Sequence, residues 1–194
     1  MWRLILVALG LPGAAMADPR CARFGQPSYS AMRATVVETA PPVSTRVFLS
    51  GPSLRLETPA PRDGRMVTLI TPGLSAIFLT TASPPVAMRM PAPLSTAMPA
   101  VTRRERDIPS RAGITLITEW RTADGQWLEV ARSLCRRDGV LLEARHLQPR
   151  EGGAVIVETR QSDIRVAALD GALFRLPDGF LLMEPPPLAR AGLR

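Results

Sequence analysis

The side chains able to do chemistry in this sequence are few and scattered. There is one histidine, His146, in Ala144-Arg145-His146-Leu147. Histidine suits general-base work near neutral pH, but a base acts only with positioned partners, and no neighbouring motif supplies them. Asp63, Asp124, Asp138 and Asp178 each precede a glycine, a placement that turn geometry explains. No GxSxG, HExxH or P-loop stretch occurs, so the usual signatures of acyl transfer, zinc hydrolysis and phosphate binding are missing. No pair of carboxylates is spaced like that of a glycosidase. We therefore assign no catalytic residue, no metal ligand and no cofactor, and expect a protein that is not an enzyme. An enzyme without a recognisable motif is the alternative.

Two cysteines, Cys21 and Cys135, remain. In an exported chain an even count points to one disulfide; two free buried thiols are the alternative. What the sequence holds in excess is soft apolar side chain. Met66, Met88, Met90 and Met98 fall close together, and methionine adapts its shape to varied partners. Phe48, Met66, Phe78, Met88, Trp120 and Trp127 form the pool of candidate ligand-binding residues. For any one of them, ordinary core packing is the competing explanation.

Export is read from the first residues. Met1-Trp2-Arg3 is a short basic start, Leu4 to Leu11 is apolar, and Ala15-Met16-Ala17 has the small-x-small spacing of a signal-peptidase site. The apolar run is far shorter than the ~20 residues a membrane span needs. Cleavage between Ala17 and Asp18 is expected, leaving residues 18–194 in the periplasm. Residues 18–184 read as one domain, with a loose tail over 185–194.

The net charge is +7 and every basic residue is arginine. The arginines are spread along the chain; only Arg103-Arg104-Glu105-Arg106 clusters, and it reads as a solvated loop. Nucleic acid is not an expected partner, because that needs a concentrated basic patch with stacking aromatics. Peripheral contact with an anionic membrane surface fits better.

The elements that must position the candidates are short strands. Ala31–Glu38, Thr45–Ser50, Ser53–Thr58, Arg65–Thr71, Leu74–Thr80 and Val86–Met90 read as an antiparallel meander. In Pro61-Arg62-Asp63-Gly64, Asp-Gly is expected to supply the positive φ of a hairpin. Leu74–Thr80 is apolar on both faces, so both must be covered. Residues 91–113 contain four prolines and look irregular, with a short helix at Leu94–Met98 or Val101–Asp107. They are expected to cover one opening, with Met90, Leu94 and Met98 facing in. Ile114–Trp120, Trp127–Cys135, Val140–Leu147, Ala154–Gln161 and Ile164–Ala168 then repeat the strand theme. ALFRLPDGFLLMEPPP adds a short turn and an edge segment. The total is about ten or eleven strands in one strongly curved antiparallel sheet.

The stretch SGPSLRLETPAPRDGRMVTLITPGLSAIFLT, then MRMP, WRTADGQWLEVARSL, DGVLLEARHL and ALFRLPDGF, resembles the periplasmic lipoprotein-carrier (LolA/LolB-type) superfamily over about residues 30–183. Leu173-Phe174-Arg175-Leu176-Pro177 is similar to that family's late apolar-Phe-x-x-Pro segment. The resemblance implies an incomplete, half-open β-barrel with a helix or loop plug, holding a lipid acyl chain or lipoprotein-like cargo in its concavity. It carries over no individual ligand residue, and no helix is evident before Ala31. The implied partners are a lipid or lipoprotein, with the chain a monomer. A structural or sensing domain that binds an envelope protein instead is the alternative.

Overall fold

The computed structural model describes residues 20–90, 101–150 and 153–185. Twelve strands are present among the described residues: β1 Tyr29–Val37, β2 Val43–Ser50, β3 Ser53–Pro59, β4 Arg65–Thr71, β5 Leu74–Leu79 and β6 Val86–Arg89, then β7 Arg103–Pro109, β8 Ile114–Arg121, β9 Trp127–Cys135, β10 Leu141–Arg150, β11 Gly153–Val166 and β12 Leu181–Met183. They form one open sheet in the order β12-β6-β5-β4-β3-β2-β1-β11-β10-β9-β8-β7, not closed into a barrel. Short 3-10 turns occur at Cys21–Phe24 and Gly171–Phe174. The expected cleavage site at Ala17 and Asp18, the helix option at Leu94–Met98, residues 91–100 of the 91–113 segment expected to cover one opening, and the tail over 186–194 lie outside the described residues.

Four details differ from the sequence reading. Arg103–Pro109 is neither loop nor helix but the edge strand β7, pairing with β8 from Arg103↔Trp120 to Pro109↔Ile114. All seven of its residues are exposed, so no apolar alternation signals a strand, and its charges protect an open edge from further pairing. The two segments expected within 154–168 are one strand of 14 residues, β11. Ser162-Asp163 looks like a turn, yet only Asp163 enters the left-handed region (φ 50°) and the strand runs on through it. The final edge strand β12 runs parallel to β6, so the sheet is not wholly antiparallel. In the β3–β4 turn Asp63 of the Asp-Gly pair has the expected positive φ (55°), but its positive-φ companion is Arg62 (61°), not Gly64. Gly64 is needed for space instead: a Cβ there would lie 2.6 Å from Thr81 Oγ1.

The chain packs as two compact units. The first comprises residues through Pro27, Arg33–Val43 and Pro93–Ser162. Its core joins Cys21, Leu116, Cys135 and Leu141, with Phe24, Ile114 and Ala144 packed around them. The Cys21–Cys135 disulfide is formed, with Cα atoms 5.5 Å apart and a sequence separation of 114. Beside it the chain is tight enough to exclude side chains. A Cβ on Gly139 would lie 1.8 Å from the carbonyl oxygen of Gly25. Arg20 adds hydrogen bonds to Thr118 and, at 3.2 Å, to Ser133 Oγ.

The second unit comprises Ser28–Met32, Ser44–Ala92 and residues from Asp163 on. Its core is Val67, Leu69, Phe78 and Ala87, with Leu74, Phe174, Leu176 and Phe180 packed against it. The C-terminal segment therefore covers one face of β4 and β5. Phe180 meets Phe78 with ring centroids 4.9 Å apart. Arg55 donates to the Leu173 carbonyl at 3.1 Å and to Glu57 Oε1 at 2.7 Å, while Arg65 reaches Glu57 Oε2 at 3.0 Å. A buried glutamate between two guanidiniums is thus tied to the covering segment.

Candidate functional site

Strand pairing in the second unit decides which side chains share a face. Met66 lies opposite Leu79, Thr68 opposite Ile77, and Ile70 opposite Ser75. Ile77 lies opposite Met88, Met88 opposite Met183, and Val86 opposite Leu181. Directly opposite residues project to the same side of a sheet. Met66, Thr68, Ile70, Ser75, Ile77, Leu79, Val86, Met88, Leu181 and Met183 therefore form one uncharged face across β4, β5, β6 and β12. The apolar alternation of Leu74–Leu79 accounts for both sides of the sheet. Leu74, Ala76 and Phe78 go under the C-terminal segment, and Ile77 and Leu79 go to this face.

That face is open at its outer end. Leu79 is 44% exposed, Met88 45%, Leu181 66% and Met183 53%. Scattered apolar residues on a surface are normal, but a contiguous apolar patch marks an interaction site. Its charged neighbours project the other way: Arg89 and Glu184 pair at 2.7 Å, and each sits between or beside residues of the apolar face in sequence.

The six sequence candidates do not converge. Met66 and Met88 lie on the open face. Phe78 is buried, 3% exposed, in the core beneath Phe180. Phe48 lies opposite Arg55, on the side of Phe78, and the Arg46 guanidinium sits 5.9 Å from its ring centre. Trp120 and Trp127 belong to the first unit and take opposite faces, Trp120 across from Leu128 and Trp127 across from Arg121. Leu181 and Met183 escape sequence reading, because only the β12–β6 ladder brings them beside Val86 and Met88. The signal available was the apolar run Phe180-Leu181-Leu182-Met183 just before the prolines.

The surface around Trp127 is ionic rather than apolar. The Arg104 guanidinium lies 4.2 Å from a Trp127 ring centre and donates to Glu119 Oε2 at 2.7 Å; Arg106 donates to the same oxygen at 2.9 Å. The hydrogen bond from Arg104, then that from Arg106, holds the Glu119 carboxyl below the usual glutamate range against the opposing effect of burial. Glu129 is likewise pulled down, chiefly by its hydrogen bond from Arg132. In the same unit a hollow of ≈ 320 Å³ opens between Glu38, Ala154, Ile156 and Glu158. Its lining carries two carboxylates beside two apolar side chains. Among the described residues, no group of three or more His, Cys, Asp or Glu side chains is placed to hold a metal ion.

No protein-family model matches the sequence, and no curated protein matches it. Among solved structures, the chain is similar to an uncharacterized conserved protein from Thermus thermophilus. The identity is 16%, 86% of this chain and 96% of that one are covered, and the TM-score is 0.54. The likeness is one of fold. A LolA superfamily protein from Nitrosomonas europaea matches at 11% identity over 84% of this chain and 99% of its own, with a TM-score of 0.38. A DUF1329 family protein from Desulfovibrio piger matches at 12% identity over 81% and 93%, with a TM-score of 0.39.

Proposed function

We propose that the protein is an exported, non-enzymatic binding module that holds an apolar ligand, a lipid acyl chain or lipoprotein-like cargo, against the open face of β4, β5, β6 and β12. The observation that carries this reading is the uncharged, methionine-bearing surface left uncovered at Leu79, Met88, Leu181 and Met183. The exported setting is supported by the basic-apolar start of the sequence and by the disulfide, which suits an oxidising compartment. Binding would work by desolvation. Fully burying one such side chain is worth roughly 1.5–3 kcal/mol, so a chain lying across several of them gains a useful affinity without a covalent step.

A second reading, a structural or sensing domain for an envelope protein, is favoured by the openness of the same face. The hollow lies elsewhere, in the other unit, and an open face suits a protein surface as well as a lipid. Titration with a fluorescent fatty acid separates the two. The wild-type protein is expected to bind, and Met88→Asp to weaken binding at least tenfold with an unchanged urea midpoint, since Met88 is outside the core. Failure of the wild-type protein to bind fatty acid, phospholipid or detergent would rule out the ligand reading and leave the envelope-partner reading.

A further inference from the structure

Strand pairing places three methionines on one edge of this face, and their chemistry differs from that of their aliphatic neighbours. Met88 and Met183 are directly opposite in the parallel ladder of β6 and β12. Met90 follows Met88 by two residues, and its backbone N–H donates to the Ser75 carbonyl at 2.8 Å, so strand pairing continues to it. Residues two apart along a strand share a face. The three thioethers therefore belong to one side of the sheet edge. Adjacent strands are ~4.8 Å apart and alternate residues ~6.6 Å apart. Methionine has three rotatable bonds, so sulfurs starting from these positions can converge on one point. Met88 and Met183 are half exposed, so this edge of the sheet is reachable from solvent.

We propose that Met88, Met90 and Met183 form a site for a soft monovalent cation, copper(I) foremost. Neutral, polarisable thioethers select soft metals and bind hard cations poorly. The donor set is three sulfurs, and the strand pairing puts no carboxylate or imidazole of the described residues beside them on this face. The nearby charges, Arg89 and Glu184, are paired with each other on the opposite side of the strands. That pairing leaves the Glu184 carboxylate a poor lure for a hard divalent ion, and it compensates the guanidinium that would repel a cation. The ion enters and leaves as copper(I); no electron is transferred. The site stands independently of the acyl-chain reading, because it rests on sulfur donors rather than on apolar area.

The test is an anaerobic titration of the purified protein with copper(I) against a chromogenic copper(I) chelator. The wild-type protein is expected to withdraw one equivalent from the chelator. Met88→Leu and Met183→Leu, which nearly conserve volume and apolarity, are each expected to weaken that competition at least tenfold. Met66→Leu, on the same face but opposite Leu79 rather than beside the three sulfurs, is expected to change nothing. The copper(I) titration is run without lipid, so its outcome is read separately from that of the fatty-acid titration. Wild-type protein that leaves all the copper with the chelator, or an equal loss in Met66→Leu, overturns the site.

Discussion

Each compact unit lays a short 3-10 turn against an apolar sheet face, and the two are secured by different means. In the first unit the turn Cys21–Phe24 is bonded covalently to β9 through Cys135, and close backbone packing around Gly25 and Gly139 leaves no room for adjustment. In the second unit Gly171–Phe174 and the residues after it are held by side-chain packing, one hydrogen bond from Arg55 and the three-residue ladder of β12. The lesson lies in how each cover can be lost. A disulfide acts largely through the unfolded chain, so its contribution scales with the loop it closes. A cover of local contacts can open without unfolding the rest, since such segments open at low free-energy cost. The open methionine face belongs to the unit with the non-covalent cover.

The largest expected effect comes from removing the covalent cover. With a sequence separation of 114, the chain-entropy contribution of the disulfide is about 4–5 kcal/mol. Cys21→Ser/Cys135→Ser is expected to lower the urea midpoint strongly. Amide exchange should rise first in β8, β9 and β10. An unchanged midpoint would mean that packing alone secures this turn, erasing the contrast between the units.

Loosening the other cover should cost less. Phe180→Ala removes a partly buried ring from Phe78, and about 2–3 kcal/mol is expected, somewhat below the range for fully buried aromatics. Hydrogen exchange is expected to accelerate over residues 171–183 while β8–β10 keep their protection. Uniform acceleration in both units would show that the two covers are not independent.

The smallest effect is electrostatic. Glu119 has its pKa lowered in the folded protein, first by Arg104, so its stabilising contribution is present above the unfolded-state value, about 4.3, and is lost as pH falls through the lower folded value. Glu119→Gln is expected to be less stable than wild type near neutral pH, with the difference narrowing below about pH 4. Urea midpoints measured across that range check the sign; a difference that widens on acidification contradicts it.

Much of the strand plan was legible because its signals are local. Ser53–Pro59 alternates Leu54 and Leu56 against Arg55 and Glu57, and alternation of that kind holds for any half-buried strand. The strand β7 was not legible, since Arg103–Pro109 carries no apolar alternation and is defined only by its ladder to β8. The candidate site was legible in part. Met66 and Met88 could be picked out by residue type. Yet a one-residue change of register would have moved either to the other face, and nothing in the sequence placed Phe78 beneath Phe180.

The sequence by itself determined a mainly β chain and most of its hairpin positions, and it favoured the single disulfide, because alternation, turn residues and a cysteine pair are properties of short segments or simple counts. Only the tertiary structure decided which side of β5 is covered, that β12 returns parallel to β6, and hence that Met183 stands beside Met88. Those facts depend on pairing between segments far apart in the chain. Their energies come from packing and ladder hydrogen bonds that no local pattern encodes.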